Sequence, residues 1–158
     1  MWCATSRCQG QLSTAPIEFC GEKIRPETSV RNLGVTVDSA LTFQPHISSV
    51  VSSCFYQLRW MKTSLKLLPF HIARTVVNCF IISRIDYWNS LLAGSPQCAL
   101  NRLQRVMNAA ARLICHSGWR TSVSDLLRDR LHWLRVPERI KYKLCLLVYK
   151  AVHGTAPT

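Results

Sequence analysis

Along residues 95–117, Leu100, Leu103, Val106, Met107, Ala110, Leu113 and Ile114 recur at three- and four-residue steps. That spacing puts them on one stripe of an α-helix. Ser95 reads as the N-cap and Pro96 as the first helical residue, where a missing N–H costs nothing. At about 100° per residue, Asn101, Arg105, Asn108 and Arg112 fall on the opposite face, with Arg102 and His116 flanking. One face requires a core, and the other offers cations and amides to something polar.

The rest of the chain alternates between weak β patterns and strong helical ones. Residues 17–20 and 23–25 alternate around Gly21-Glu22, which predicts a short hairpin ended by Pro26. Residues 30–38 read as one further strand, with Leu33, Val35 and Val37 on one side. Pro45 opens a long helix with the stripe Ile47, Val50, Val51, Cys54, Leu58, Met61, Leu65 and Leu68. Tyr56 and Trp60 point away from that stripe as a second aromatic contact surface. Pro69 breaks the helix, and the next one, from Phe70 to Ile85, is apolar nearly all round, which predicts central burial. Residues 86–92 continue it or turn. After a 117–124 loop holding Trp119 and Arg120, residues 125–132 read as a short helix capped by Ser124. Pro137 starts the last helix. Ile140, Leu144, Leu147, Val148 and Ala151 face inward; Arg139, Lys143 and Lys150 gather elsewhere, and Gly154 closes the C-terminus. The fold class expected is mainly α, a bundle of about five helices with a small N-terminal antiparallel β hairpin and strand element.

Charge sharpens this picture. The 158 residues suffice for one domain with a modest core, and at 48% hydrophobic and 18% charged the chain is not of disordered type. Its net charge of +12 is unevenly placed. Residues 1–45 hold four basic residues against four acidic. Residues 46–158 hold 16 basic against four acidic, which is the whole excess. Such a surface suits a polyanion: nucleic acid first, an anionic membrane second. No apolar run approaches the roughly 20 residues that span a bilayer.

Catalytic chemistry is hard to assemble from these residues. Asp38 and Asp86 are isolated, whereas a two-metal site needs acids converging on ions about 4 Å apart. Asp38 is expected to make a turn, and Asp86 to pair with Arg84 or cap a backbone group. No phosphate-binding glycine loop occurs. His132, beside Trp133, is expected to be a satisfied, partly buried histidine. The eight cysteines form no C-x-x-C pair, which suggests reduced thiols in an intracellular setting. Cys54, Cys79, Cys115 and Cys145 lie in helical patterns as small hydrophobes. A zinc site from Cys3, Cys8, Cys20 and a histidine is conceivable but irregularly spaced.

An ordered set of short motifs then stands out. It comprises Trp2-Cys3-Ala4-Thr5-Ser6, Val30-Arg31-Asn32-Leu33-Gly34-Val35, His46-Ile47-Ser48, Ser83-Arg84-Ile85-Asp86-Tyr87 and Leu91-Leu92-Ala93-Gly94. Leu100-Asn101-Arg102-Leu103-Gln104, Asn108-Ala109-Ala110-Ala111-Arg112-Leu113, Leu131-His132-Trp133-Leu134 and Pro137-Glu138-Arg139-Ile140 follow. The run 149–157, from Tyr149 to Pro157, completes it. In this order they resemble non-LTR (LINE-type) retrotransposon reverse transcriptases, in the thumb and connector just after the polymerase palm. Trp88 departs from the small residue or Cys usual there.

The resemblance implies that residues 1–44 are the end of a palm-like β element and 45–158 a thumb-like basic helical domain. It implies sequence-independent binding of RNA/DNA duplex backbone, with Arg102, Arg105, Arg112, Arg139, Lys143 and Lys150 as phosphate contacts. The family's catalytic aspartates and their Mg2+ belong to a palm region that would precede Met1. The chain is therefore expected to be a fragment, not an enzyme by itself, and to need no cofactor of its own. Both ends read as cut, and self-association through the face left open is a further expectation. Two alternatives stay open: a helical protein-interaction module, and a non-functional relic of a transposable element.

Overall fold

A computed structural model describes residues 1–4, 8, 10, 15–118 and 120–156. Trp119, Thr5-Ser6 and Pro157, which carry sequence expectations, lie outside them. The chain divides into two compact units, Met1–Ser48 and Ser49–Thr158.

The first unit contains two antiparallel hairpins. Strands β1 (Ile17–Phe19) and β2 (Glu22–Ile24) pair Ile17 with Ile24 and Phe19 with Glu22. Cys20 and Gly21, at φ 51° and 82°, make the tight turn whose twist matches paired strands. Strands β3 (Ser29–Asn32) and β4 (Val35–Asp38) pair Val30 with Val37 and Arg31 with Thr36. The single strand expected over 30–38 is thus a hairpin, because Leu33-Gly34, at φ 46° and 84°, reverses the chain. Leu33 sits on the tip at 69% exposure, while Val35 is buried.

Asp38 organises the exit from β4. Its carboxylate accepts from the Phe43 N–H (2.7 Å), the Thr42 N–H (3.0 Å) and the Thr42 hydroxyl (2.9 Å). Helix α1 (Gln44–Leu67) starts there, with Pro45 in its first turn, and residues 49–67 belong to the second unit.

The second unit is helical. Helix α2 runs over residues 70–86, as Phe70–Val77, a π-helical turn Asn78–Ile82, and Ser83–Asp86. A 3-10 turn, Asn89–Leu92, leads to α3 (Gln97–Ile114). Helix α4 covers residues 123–131, Val123–Asp125 continuing as the π-helical Leu126–Leu131, and α5 is Val136–Val152. This is the mainly helical architecture with a small β element that the pattern predicts.

Helix α3 is the centre of the core. Ala99, Leu100, Leu103, Val106, Met107, Ala110, Ala111 and Ile114 are all buried along it. Ser95 does not cap it. Pro96 takes the cap position, its carbonyl accepting from the Leu100 N–H (3.3 Å), so Ser95 lies one residue outside. Buried with it are Cys54, Leu58 and Leu65 of α1, Val77, Ile81 and Ile85 of α2, Leu127 and Leu131 of α4, and Val136 and Ile140 of α5.

Three expectations need correction. Helix α2 is not buried all round: Ile72 and Phe80 are exposed, because the neighbouring helices cover one side of it. Helix α5 buries Val136 and Ile140, but Leu147, Val148 and Ala151 are exposed, since the packing ends with its first turns. Helix α4 starts at Val123, two residues early. Ser124 lies inside it, where its hydroxyl accepts from Arg135 Nη2 (2.8 Å).

Side chains tie the helices across the core. Gln104 Oε1 of α3 accepts the Val136 N–H (2.9 Å), satisfying a donor at the start of α5. Arg139 Nη1 of α5 meets Asp86 Oδ2 at the end of α2 (2.6 Å).

Candidate functional site

The helical unit carries a cleft of about 860 Å³ between α1 and the C-terminal half of α3. Arg59, Lys62 and Lys66 line it from α1, and Arg112 and His116 from the α3 side. Phe55, Leu58, Ala109 and Leu113 supply apolar lining, and Ser117 and Gly118 close one end.

Helix geometry explains this mixture. Positions 55, 59, 62 and 66 recur at steps of three and four, so they share one flank of α1. That flank adjoins the stripe of Cys54, Leu58 and Leu65, which is buried. The apolar residues face the core and the cations stand at its rim. On the other side, positions 109, 112 and 116 repeat the same spacing.

The end of α3 aims His116. The His116 N–H reaches Leu113 O (3.4 Å) and the Ser117 N–H reaches Arg112 O (3.0 Å), a Schellman closure. This closure requires a left-handed residue, and His116 takes it at φ 49°. Helix α5 ends in the same way, with Gly154 in that position at φ 65°, as its sequence suggests. Arg112 is half-buried, with Nη2 donating to Thr121 O (3.2 Å), while Arg59, Lys62 and Lys66 are exposed. No acidic residue is among the described residues that line the cleft. Four guanidinium or ammonium groups therefore share one concave, partly apolar surface. Such a surface attracts anions.

Of the six cations expected at phosphates, Arg112 lines the cleft. Arg105 and Arg102 lie seven residues before Arg112 and Ala109, so they extend the same flank of α3 beyond it. Lys143 and Lys150 are exposed on α5, away from the cleft lining. Arg139 is occupied: its side chain is 16% exposed, Nη1 binds Asp86 and Nε donates to Leu134 O (2.8 Å). Sequence reasoning missed Arg59, Lys62 and Lys66. Their signal was a basic three-and-four repeat alongside the apolar positions 58, 61 and 65.

The other chemical candidates resolve into structural roles. Asp86 pairs with Arg139 and not with Arg84, whose Nη1 donates to Ser53 Oγ (2.6 Å). Asp38 makes the turn expected of it. Burial opposes its ionisation, but the donors from Thr42 and Phe43 outweigh that and hold its carboxyl below the usual value. Burial, helped by the Arg31 charge, pushes His46 down, and its Nδ1 accepts from the Thr36 N–H (3.4 Å). His132 is exposed rather than partly buried, at φ 53°, where it lets the Trp133 N–H reach Leu127 O (2.7 Å). Cys79 and Cys145 are exposed on their helices, whereas Cys54 is buried. Burial pushes the Cys54 thiol up to about 11, against the nearby Arg84. Among the described residues no three His, Cys, Asp or Glu groups converge to hold a metal, and no helix is long and apolar enough to cross a membrane.

No protein-family model matches the chain, and no solved structure does. The "Probable RNA-directed DNA polymerase from transposon BS" of Drosophila melanogaster is 29% identical over a 123-residue alignment that covers 73% of this chain. The chain spans 13% of that polymerase's length. Over most of its length, then, the chain is a sequence relative of a transposon reverse transcriptase.

Proposed function

We propose that the helical unit grips nucleic acid by its backbone, without reading sequence, as the thumb-like part of a LINE-type reverse transcriptase. On this reading residues 1–44 are the end of the palm. The observation that carries it is the cleft: Arg59, Lys62, Lys66 and Arg112 converge, with no acidic residue among the described lining residues, on the unit that holds the entire +12. Similarity to a transposon RNA-directed DNA polymerase supports nucleic acid over other polyanions. We assign no catalytic step to this chain. Asp38 and Asp86 are engaged by Thr42, Phe43 and Arg139, and do not fit a Mg2+ pair.

Fluorescence anisotropy with an RNA–DNA hybrid tests the proposal. Four phosphate contacts give a log–log salt slope of about −4. The double charge reversal Lys62→Glu with Lys66→Glu should flatten that slope by about 2, far more than Lys143→Glu with Lys150→Glu. Binding that ignores salt would refute it. A second reading, docking of a protein partner, draws on the exposed Tyr56–Trp60 pair, with ring centroids 6.1 Å apart. It predicts that Trp60→Ala abolishes capture of that partner and leaves hybrid binding intact.

A further inference from the structure

We propose that the cleft takes an unpaired nucleotide, with its base on the apolar lining and its phosphates on the cationic rim. This deepens the nucleic-acid reading and rests on it. A duplex offers a protein its sugar–phosphate exterior, which cations alone can hold. Phe55, Leu58 and Leu113 add an apolar surface that phosphates have no use for. An unpaired base has a flat apolar face that does use it.

The dimensions agree. A volume of about 860 Å³ lies in the range of sites that enclose a small organic ligand, roughly 300–1,000 Å³. Leu58 is 6% exposed and closes the bottom, while Phe55 is 38% exposed and keeps ring surface open for stacking. At about 1.5 Å per residue, Arg59, Lys62 and Lys66 stand about 4.5 and 6 Å apart along α1. Such a row follows successive phosphates on one side of a seated base, and Arg112 and His116 flank the other side.

The lining also limits what is read. It holds no carboxylate to accept from a base amino group among the described residues, and the Ser117 hydroxyl already donates to Cys115 O (3.2 Å). Stacking on the apolar lining, which any base can make, is therefore the main contact to the base. The nucleotide can come from the single-stranded end of a hybrid or from a free nucleoside monophosphate, since the two share this chemistry.

The test compares a blunt RNA–DNA hybrid with one carrying a three-nucleotide overhang, in the full chain. The overhang should tighten binding about tenfold. Phe55→Ser should erase that gain, measured as the ratio of overhang to blunt affinity, and Phe55→Trp, which keeps an aromatic face, should retain it. Adenosine monophosphate added in excess assigns the source. If it abolishes the gain the free nucleotide also occupies the cleft, and if it does not the strand end is the ligand. Equal binding of the two hybrids, or a gain that survives Phe55→Ser, would overturn the inference while the backbone-binding reading stands. Displacement by polyglutamate as readily as by a single strand of equal charge would overturn it too, because the cleft would then answer to charge alone. Failure of both hybrids to bind would remove the reading beneath it.

Discussion

Leu33 holds a conformation its side chain opposes. It sits at φ 46° on the β3–β4 turn, where Cβ crowds the backbone, with its side chain 69% exposed. Leu33→Asn would create the Asn-Gly pair that such turns favour, and should stabilise the first unit by about 1 kcal/mol in thermal melts. The same unit carries two groups tuned to neutral pH. Asp38 and His46 both have depressed pKa values when folded, so each stabilises the unit above its unfolded value, near 3.8 and 6.5 respectively, and that support is lost as pH falls through the folded value. The Thr36 amide, which donates to His46, should therefore lose hydrogen-exchange protection in two acid steps. Its first step, below about pH 6.5, should vanish in His46→Gln.

At the level of elements, the Asp86–Arg139 pair joins the end of α2 to the first turns of α5, 53 residues apart in sequence. Asp86→Ala leaves a largely buried guanidinium without its carboxylate. A loss of about 1–2 kcal/mol is expected in denaturant unfolding, between the values for exposed and buried pairs. The helices themselves were legible because their cause is periodic: the stripe from Leu100 to Ile114 names six of the eight buried residues of α3, missing Ala99 and Ala111 and adding the half-buried Leu113. The hairpin over 29–38 was not, since its turn rests on Leu33, a residue that predicts no reversal. The exposed end of α5 was illegible for another reason. A stripe such as Ile140, Leu144, Leu147 and Val148 shows which side is apolar, but not how far along it a neighbour reaches.

For the whole molecule, the difficulty lay in distance along the chain. The rim cations at 59–66 and at 112–116 belong to separate stretches, of which only the second stood out by itself, and the fold brings both to one cleft. Arg102 and Arg105 could be read from α3 by itself, whereas the partnership of Arg112 with Arg59 could not. That partnership has a mechanical consequence. Like charges facing one another across a gap push its walls apart, and among the described residues of the lining none is acidic. The protein should thus be most fragile in nearly pure water and toughest when loaded, its cargo serving also as the mortar between two helices.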